Sequence, residues 1–271
     1  MNLFIIMYRF QYNNHPYHIV NPSPWPILSS FSLLSLALSA VLLFQGYSVS
    51  ILFLLSLVSI IGSVLFWFRD IIAEGSYEGN HTSAVQKGLN IGVILFIISE
   101  VFFFISVFWA YFHSALSPSI ELGMEWPPKG IFSVDPWGIP LFNTIVLLSS
   151  SSLVTSAHHS LIQGNRRRAL IGVFWTLFLA FIFIIIQGLE YYFSTFTISD
   201  GIFGSCFYFG TGFHGIHVIV GTIFLAVGLW RIWNYQLLDN HHLGFEFGIL
   251  YWHFVDVVWL FLFLSLYWWG S

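Results

Sequence analysis

Glu100 is the residue most able to do chemistry, because it is a carboxylate placed deep in a run of apolar residues, Gly88–Phe112 (GLNIGVILFIISEVFFFISVFWAYF). It lies about 18 Å along a helix axis from Gly88 at the standard rise. That is near the middle of a hydrocarbon layer ~30 Å thick. Acids at such depth are costly, rare and usually tied to function. The run holds no Lys or Arg to pair with it. The acid is therefore expected to keep its proton and to act as a hydrogen-bond donor, a lipid contact or a proton-handling group.

Eleven histidines add a second chemical theme. His214 and His217 are three apart and share a helix face, and so do His253 and Asp256. His158-His159 and His241-His242 are adjacent pairs. Imidazoles bind transition metals and haem iron when a further partner fixes the tautomer. Adjacent histidines point to opposite sides of a helix, however, and buried histidines in membranes commonly serve as hydrogen-bond partners between helices. The expectation is no metal site in this chain. His253 and Asp256 are read as a structural polar pair, bonded to each other and tying their helix to a neighbour, with a proton relay as the other reading. Cys206 stands alone, which excludes a disulfide framework and a paired-thiolate site.

The elements that must hold these groups are transmembrane helices. The chain is 57% hydrophobic and only 7% charged, with a mean hydropathy of +0.82. A water-soluble domain carries about a quarter charged residues. Seven spans follow from the hydropathy, at Ile27–Phe44, Val49–Phe68, Gly88–Phe112, Pro140–Leu161, Ala169–Phe193, Ser205–Trp230 and Phe247–Trp269. Long apolar runs argue against a membrane barrel. Trp25, Trp67, Trp109, Trp230, Trp233, Trp268 and Trp269 fall at span ends, where interfacial belts form.

Charge sets the orientation. Seven of the eight basic residues, all but Lys129, fall on the side of the N-terminus. The positive-inside rule assigns that side to the cytoplasm or the mitochondrial matrix. The net charge of −4 gives no reason to expect nucleic acid as a partner. No removable signal is visible in the first twenty residues. A retinal protein needs a lysine within a span, and Lys87 and Lys129 both lie in loops. A G-protein-coupled receptor needs the opposite orientation. The expected division is an inner-side tail 1–26, a two-helix hairpin 27–68, a polar loop 69–87 and a five-helix bundle 88–271. No internal repeat suggests an inverted-repeat transporter. Arg69 and Arg231, beside Trp67 and Trp230 at inner span ends, are placed to hold anionic lipid headgroups.

Ten stretches in one order resemble a known family: NPSPWP at Asn21–Pro26, WFRD at Trp67–Asp70, SEVFF at Ser99–Phe103, FWAYFH at Phe108–His113, WPP at Trp126–Pro128, AHHS at Ala157–Ser160, FTISDG at Phe196–Gly201, GFHGIH at Gly212–His217, YWHFVDVVWLF at Tyr251–Phe261 and YWWGS at Tyr267–Ser271. On these residues the chain resembles the mitochondrial cytochrome c oxidase subunit III family. The resemblance implies an all-α integral membrane protein of seven helices, with a two-helix unit and a five-helix unit separated by a lipid-filled V-shaped cleft. It implies a non-redox core subunit of the terminal oxidase, which moves electrons from cytochrome c to oxygen and pumps protons. Haem a, haem a3 and copper would then reside in the partner subunits, the catalytic subunit I and the copper-bearing subunit II. Accessory subunits and structural phospholipids complete the expected partners. The implied location is the mitochondrial inner membrane, with the N-terminus in the matrix and the C-terminus in the intermembrane space.

Carried over by position, Glu100 matches the family's buried carboxyl beside the cleft. Trp67, Arg69, Glu74, His81, Arg231, His241 and His242 match positions implied to meet lipid headgroups. Some relatives carry a second Arg where this chain has Ala73, so the expected lipid contact there is either weaker or passes to Arg69. The rival reading is an autonomous proton channel or carrier centred on Glu100. A quinol-oxidase third subunit would share the fold, but the near-continuous match to mitochondrial sequences argues against it.

Overall fold

The computed structural model describes residues 15–239 and 241–271. Seven helices carry the chain: α1 (Trp25–Phe44), α2 (Ser50–Ser76), α3 (Ser83–Leu116), α4 (Ile139–Ile162), α5 (Arg166–Phe193), α6 (Gly201–Trp233) and α7 (Leu243–Leu262). α7 continues into a π-helical turn, Phe263–Trp268, and a 3₁₀ turn, Ile120–Leu122, follows α3. Each of the seven is long and apolar enough to cross a membrane. The architecture is all-α, with no strand among the described residues.

Helix ends depart from the expected span ends in one informative way. α2 runs on to Ser76 and α3 begins at Ser83, so most of the expected loop 69–87 is helical. Hydropathy reports where the hydrocarbon stops, whereas a helix with satisfied backbone bonds can continue into water. The segment Met1–Gln11 lies outside the described residues. The chain forms two compact units, 1–89 and 90–271.

In the first unit, packing reverses the rule of soluble proteins. Every buried residue of α1 and α2 is a serine: Ser29, Ser32 and Ser39 on α1, Ser56 and Ser63 on α2. Leu, Ile and Phe side chains point outward, since lipid tails are as apolar as they are. Small side chains let the two backbones approach, and hydroxyls bridge them. Ser32 Oγ lies 2.7 Å from Ser59 Oγ, and Ser39 Oγ lies 3.3 Å from Ser56 Oγ. At the other end of the hairpin, Trp25 Nε1 donates to Asp70 Oδ2 at 2.5 Å.

The second unit is held by a polar seam along α4 and α7, which run antiparallel. Trp259 Nε1 donates to Thr144 Oγ1 at 3.0 Å and Trp252 Nε1 to Ser150 Oγ at 3.1 Å. His253 Nε2 meets Thr155 Oγ1 at 3.2 Å. Three hydroxyls of α4 thus meet two indoles and an imidazole of α7. α6 offers small residues to the large ones of α7. A methyl added at Gly221 would touch the Trp252 ring at 3.0 Å, and one at Gly228 the Phe245 ring at 2.9 Å. Arg166, at the start of α5, closes the far end of α6. Its Nε donates to Ile232 O at 3.0 Å, and its guanidinium lies 3.7 Å over the Tyr235 ring. A cation at a helix C-terminus also complements the helix dipole.

α4 and α5 approach closely at Gly172, where an added Cβ would fall 2.8 Å from Ala157 Cβ. Gly172→Val is expected to destabilise the bundle by about 1–3 kcal/mol through overpacking. Thermal unfolding in detergent checks this, with Gly188→Val, at an open position, as the control expected to stay close to the parent.

Candidate functional site

The site forms where α3 and α6 face each other. Glu100 enters from α3 and His217 from α6, and His217 Nε2 lies 2.8 Å from Glu100 Oε2. The other ring nitrogen, His217 Nδ1, lies 2.7 Å from Phe213 O, one turn back on α6. A carbonyl only accepts, so Nδ1 carries a proton. That contact fixes how protons can be shared with Glu100. Either a neutral imidazole accepts from a protonated carboxyl, or an imidazolium donates to a carboxylate. Both arrangements hold one shared proton and no net charge.

Aromatic rings surround the pair. Phe104 meets the imidazole edge-on at 5.2 Å between centroids, and Tyr251 stacks on it at 6.2 Å. Phe103 and Phe254 complete the wall. The His217 side chain is 12% exposed and that of Glu100 23% exposed. The acid therefore keeps one edge open while its hydrogen bond is shielded. Sequence reasoning singled out both residues but did not join them. It left Glu100 without a partner because it looked for Lys or Arg within the same run.

His214, one turn before His217, is fully buried, and its Nε2 donates to Val255 O at 3.1 Å. It joins α6 to α7 and stands apart from Glu100. His253 and Asp256 share a face as expected but are not hydrogen-bonded to each other. Both look toward α4: His253 to Thr155, and Asp256 toward Ser151. Ser151 Oγ and Asp256 Oδ1 sit outside ordinary hydrogen-bond geometry, each buried without a partner. His253 thus links α7 to α4 through Thr155, while Asp256 faces Ser151 on the same helix without a hydrogen bond.

The positions expected to meet headgroups separate into two sets. In unit 1–89, Arg69 bonds its neighbour Asp70 at 2.9 Å, Glu74 lies 3.4 Å from His18 Nε2, and His81 packs its ring over Gly75. Trp67 sits partly exposed on the same helix, α2. In unit 90–271, the Arg231 guanidinium lies against Gly244, and His241 and His242 precede α7. His242 departs from expectation. It is buried, with Nδ1 on Leu238 O at 2.9 Å and Nε2 facing His158 and Glu246. Both nitrogens face other protein groups, which sets it apart from the other headgroup candidates.

One acid escaped the sequence reading. Glu190, near the end of α5, is 3% exposed. Its Oε1 accepts from Tyr267 OH at 2.6 Å and from Gln187 Nε2 at 3.2 Å, while Asn143 Nδ2 reaches Gln187 Oε1 at 3.3 Å. This network joins α4, α5 and the π-helical turn. Its signal in the sequence was masked by position, since an acid near a span end reads as interfacial.

The wider resemblance of the chain decides the family. A family model described as "Cytochrome c oxidase subunit III" matches residues 15–271. The chain belongs to the cytochrome c oxidase subunit III family. It is 62% identical over 264 residues to a cytochrome c oxidase subunit 3 of Podospora anserina, covering 97% of this chain and 98% of the relative. The subunit 3 of Emericella nidulans is 60% identical over 260 residues, covering 96% and 97%. That of Mycosarcoma maydis is 58% identical over 269 residues, covering 97% and 98%. The chain is a multi-pass membrane subunit of an oxidase complex.

The Glu100–His217 bond makes a direct prediction. Glu100→Leu or His217→Leu alone strands a polar group and is expected to cost about 1–3 kcal/mol. Replacing both together is expected to recover most of that loss, since neither partner is then left unsatisfied. Thermal dissociation of the subunit from the complex measures all four states of the cycle. Additive losses in the double variant would mean that the two side chains act independently.

Proposed function

We propose that this chain is the non-redox, lipid-holding support subunit of the terminal oxidase of the mitochondrial inner membrane. In this reading it lies along the catalytic haem-copper subunit I, steadies it, and supports proton uptake into it. Haem a, haem a3 and the copper centres belong to subunits I and II, and cytochrome c is the substrate of the whole complex. The family resemblance supports a phospholipid-holding role, with Trp67, Arg69, Glu74 and His81 in one unit and Arg231 and His241 in the other as headgroup candidates. The N-terminus lies in the matrix and the C-terminus in the intermembrane space, as the bias of seven basic residues to one side supports.

One observation carries the choice of a supporting role over a conducting one. A proton path centred on Glu100 needs an onward acceptor. The hydrogen bond of Glu100 runs to His217, and His217 ends on the backbone carbonyl of Phe213. Tyr251 stacks on the imidazole and His214 lies one turn away, but among the described residues neither is hydrogen-bonded to the pair, and His214 is committed to Val255 O. A carbonyl oxygen holds a proton donor in place and relays nothing. The pair therefore suits a fixed, electrically neutral tie between α3 and α6, with the exposed edge of Glu100 facing lipid.

The outward apolar faces of α1 and α2 support the lipid-holding half of the proposal. Leu34, Val41, Leu55 and Val58 are all more than half exposed while serines fill the helix interface. Such faces are suited to acyl chains.

Glu100→Gln in the intact complex tests the reading. Gln still donates a hydrogen bond to His217 Nε2 but cannot titrate. Oxygen consumption with reduced cytochrome c is expected to stay within about a factor of two, less than about half a kcal/mol in barrier. Proton pumping per electron is expected to persist. Near-complete loss of proton movement, with the subunit still bound, would overturn the proposal and make Glu100 the centre of a conducting path.

A further inference from the structure

Three metal-binding side chains converge where α4 ends and α7 begins. His158 stands one turn from the end of α4, His242 immediately precedes α7, and Glu246 lies in the first turn of α7. His158 Nε2 and His242 Nε2 are 3.2 Å apart, His242 Nε2 and Glu246 Oε1 are 3.1 Å apart, and His158 Nε2 and Glu246 Oε1 are 4.0 Å apart. Among the described residues this is the group of three whose donor atoms all meet within 4.8 Å. We propose that His158, His242 and Glu246 form a binding site for a divalent transition cation of the Zn²⁺ class.

The hydrogen-bond pattern suits something positive between these atoms. His242 Nδ1 faces Leu238 O at 2.9 Å and so carries its proton. In the neutral ring Nε2 is then a lone pair. It faces Glu246 Oε1, and a carboxylate oxygen also offers only lone pairs. Two acceptors at 3.1 Å repel unless a cation or an added proton lies between them. His158 Nε2, the third member, can present a lone pair simply by holding its proton on Nδ1. A divalent cation at the centre satisfies all three at once.

The spacing fits a particular geometry. Zinc bonds to imidazole nitrogen and carboxylate oxygen are about 2.0–2.1 Å long, which places neighbouring donors in a tetrahedron about 3.3–3.4 Å apart. The three separations of 3.1, 3.2 and 4.0 Å bracket that edge. Two imidazoles and a carboxylate are also a zinc-type donor set rather than a calcium or magnesium one. The Leu238 carbonyl supplies the outer partner that orients a ligating imidazole.

Access is built in as well. The His242 side chain is 6% exposed, that of His158 24% and that of Glu246 44%. Glu246 thus forms the open side, where the ion enters and where water takes the fourth position. Phe245 packs edge-on to the His158 ring at 6.2 Å and shields the rear. Bound metal would clamp the end of α4 to the start of α7, at one end of the seam of hydroxyls and indoles. The histidine neighbours His159 and His241 do not take part, so each adjacent pair contributes one ligand to a site made from two elements.

The experiment uses the intact oxidase complex, stripped with a chelator and then titrated with buffered Zn²⁺. Zinc retained per complex is measured for the parent and for His158→Ala, Glu246→Gln and the control His159→Ala. The expected result is that one equivalent of zinc present in the parent and in His159→Ala is lost, or weakened at least about tenfold, in the other two variants. X-ray absorption at the zinc edge should lose a component with bonds of about 2.0–2.1 Å in parallel. Glu246→Gln preserves side-chain volume, so it tests the site even if His158→Ala fails to assemble. Zinc content and affinity unchanged by Glu246→Gln would overturn the proposal, as would an equal loss in His159→Ala.

Discussion

A polar group inside hydrocarbon has no water to turn to, and that constraint organises this protein. Backbone groups are satisfied within each helix, which leaves the side chains to decide how helices pair. Apolar side chains give little direction, since they are as comfortable against lipid as against protein. The polar ones have to find one another. Ser32 finds Ser59, Thr144 finds Trp259, Ser150 finds Trp252, and Glu100 finds His217. The helix pairs α1–α2, α4–α7 and α3–α6 follow from those meetings.

The magnitudes explain the form each meeting takes. A charged acid near the bilayer centre costs about 2.5–3.5 kcal/mol even on insertion scales. A single hydrogen bond between membrane helices returns only about 0.6–2 kcal/mol. An ionised and unpaired Glu100 would therefore be a net burden that no hydroxyl could offset. The His217 imidazole answers this by matching the acid with one shared proton, so the pair remains neutral. The Nδ1 contact to Phe213 O then matters as much as the 2.8 Å bond itself. It removes the tautomer in which Nε2–H would face a protonated carboxyl, and it leaves the ring one way to sit.

What was legible in the sequence divides along the same line. Seven spans could be read because hydropathy accumulates over some twenty residues, and the observed helices contain nearly all of each. Their true ends could not, since Arg69–Ser76 and Ser83–Lys87 are polar enough to read as loop and yet continue as helix. Glu100 was visible by depth alone. Its partner, 117 positions away, was visible only as a histidine on a helix face, because no local periodicity encodes which helix that face will meet. The same gap explains His253 and Asp256. Spacing put them on one face, and only packing showed that each turns to a different residue of α4.

The histidine doublets carry the argument furthest. Neighbours on a helix diverge, which made His158-His159 and His241-His242 look unfit for chelation. The reasoning is sound for each doublet and fails for the fold, because His158 and His242 come from different elements and face each other at 3.2 Å. Position along the membrane normal then separates two kinds of site built from one vocabulary of imidazole and carboxylate. Near the bilayer centre, Glu100 and His217 can share one proton and stay neutral, whereas a divalent ion there would bring charge into hydrocarbon. At the end of the bundle, Glu246 is nearly half exposed and a hydrated cation can enter. The outcome in each place is set by how many lone pairs converge. One imidazole lone pair and one carboxyl are balanced by a proton, while two imidazoles and a carboxylate around a single point are balanced by a metal ion.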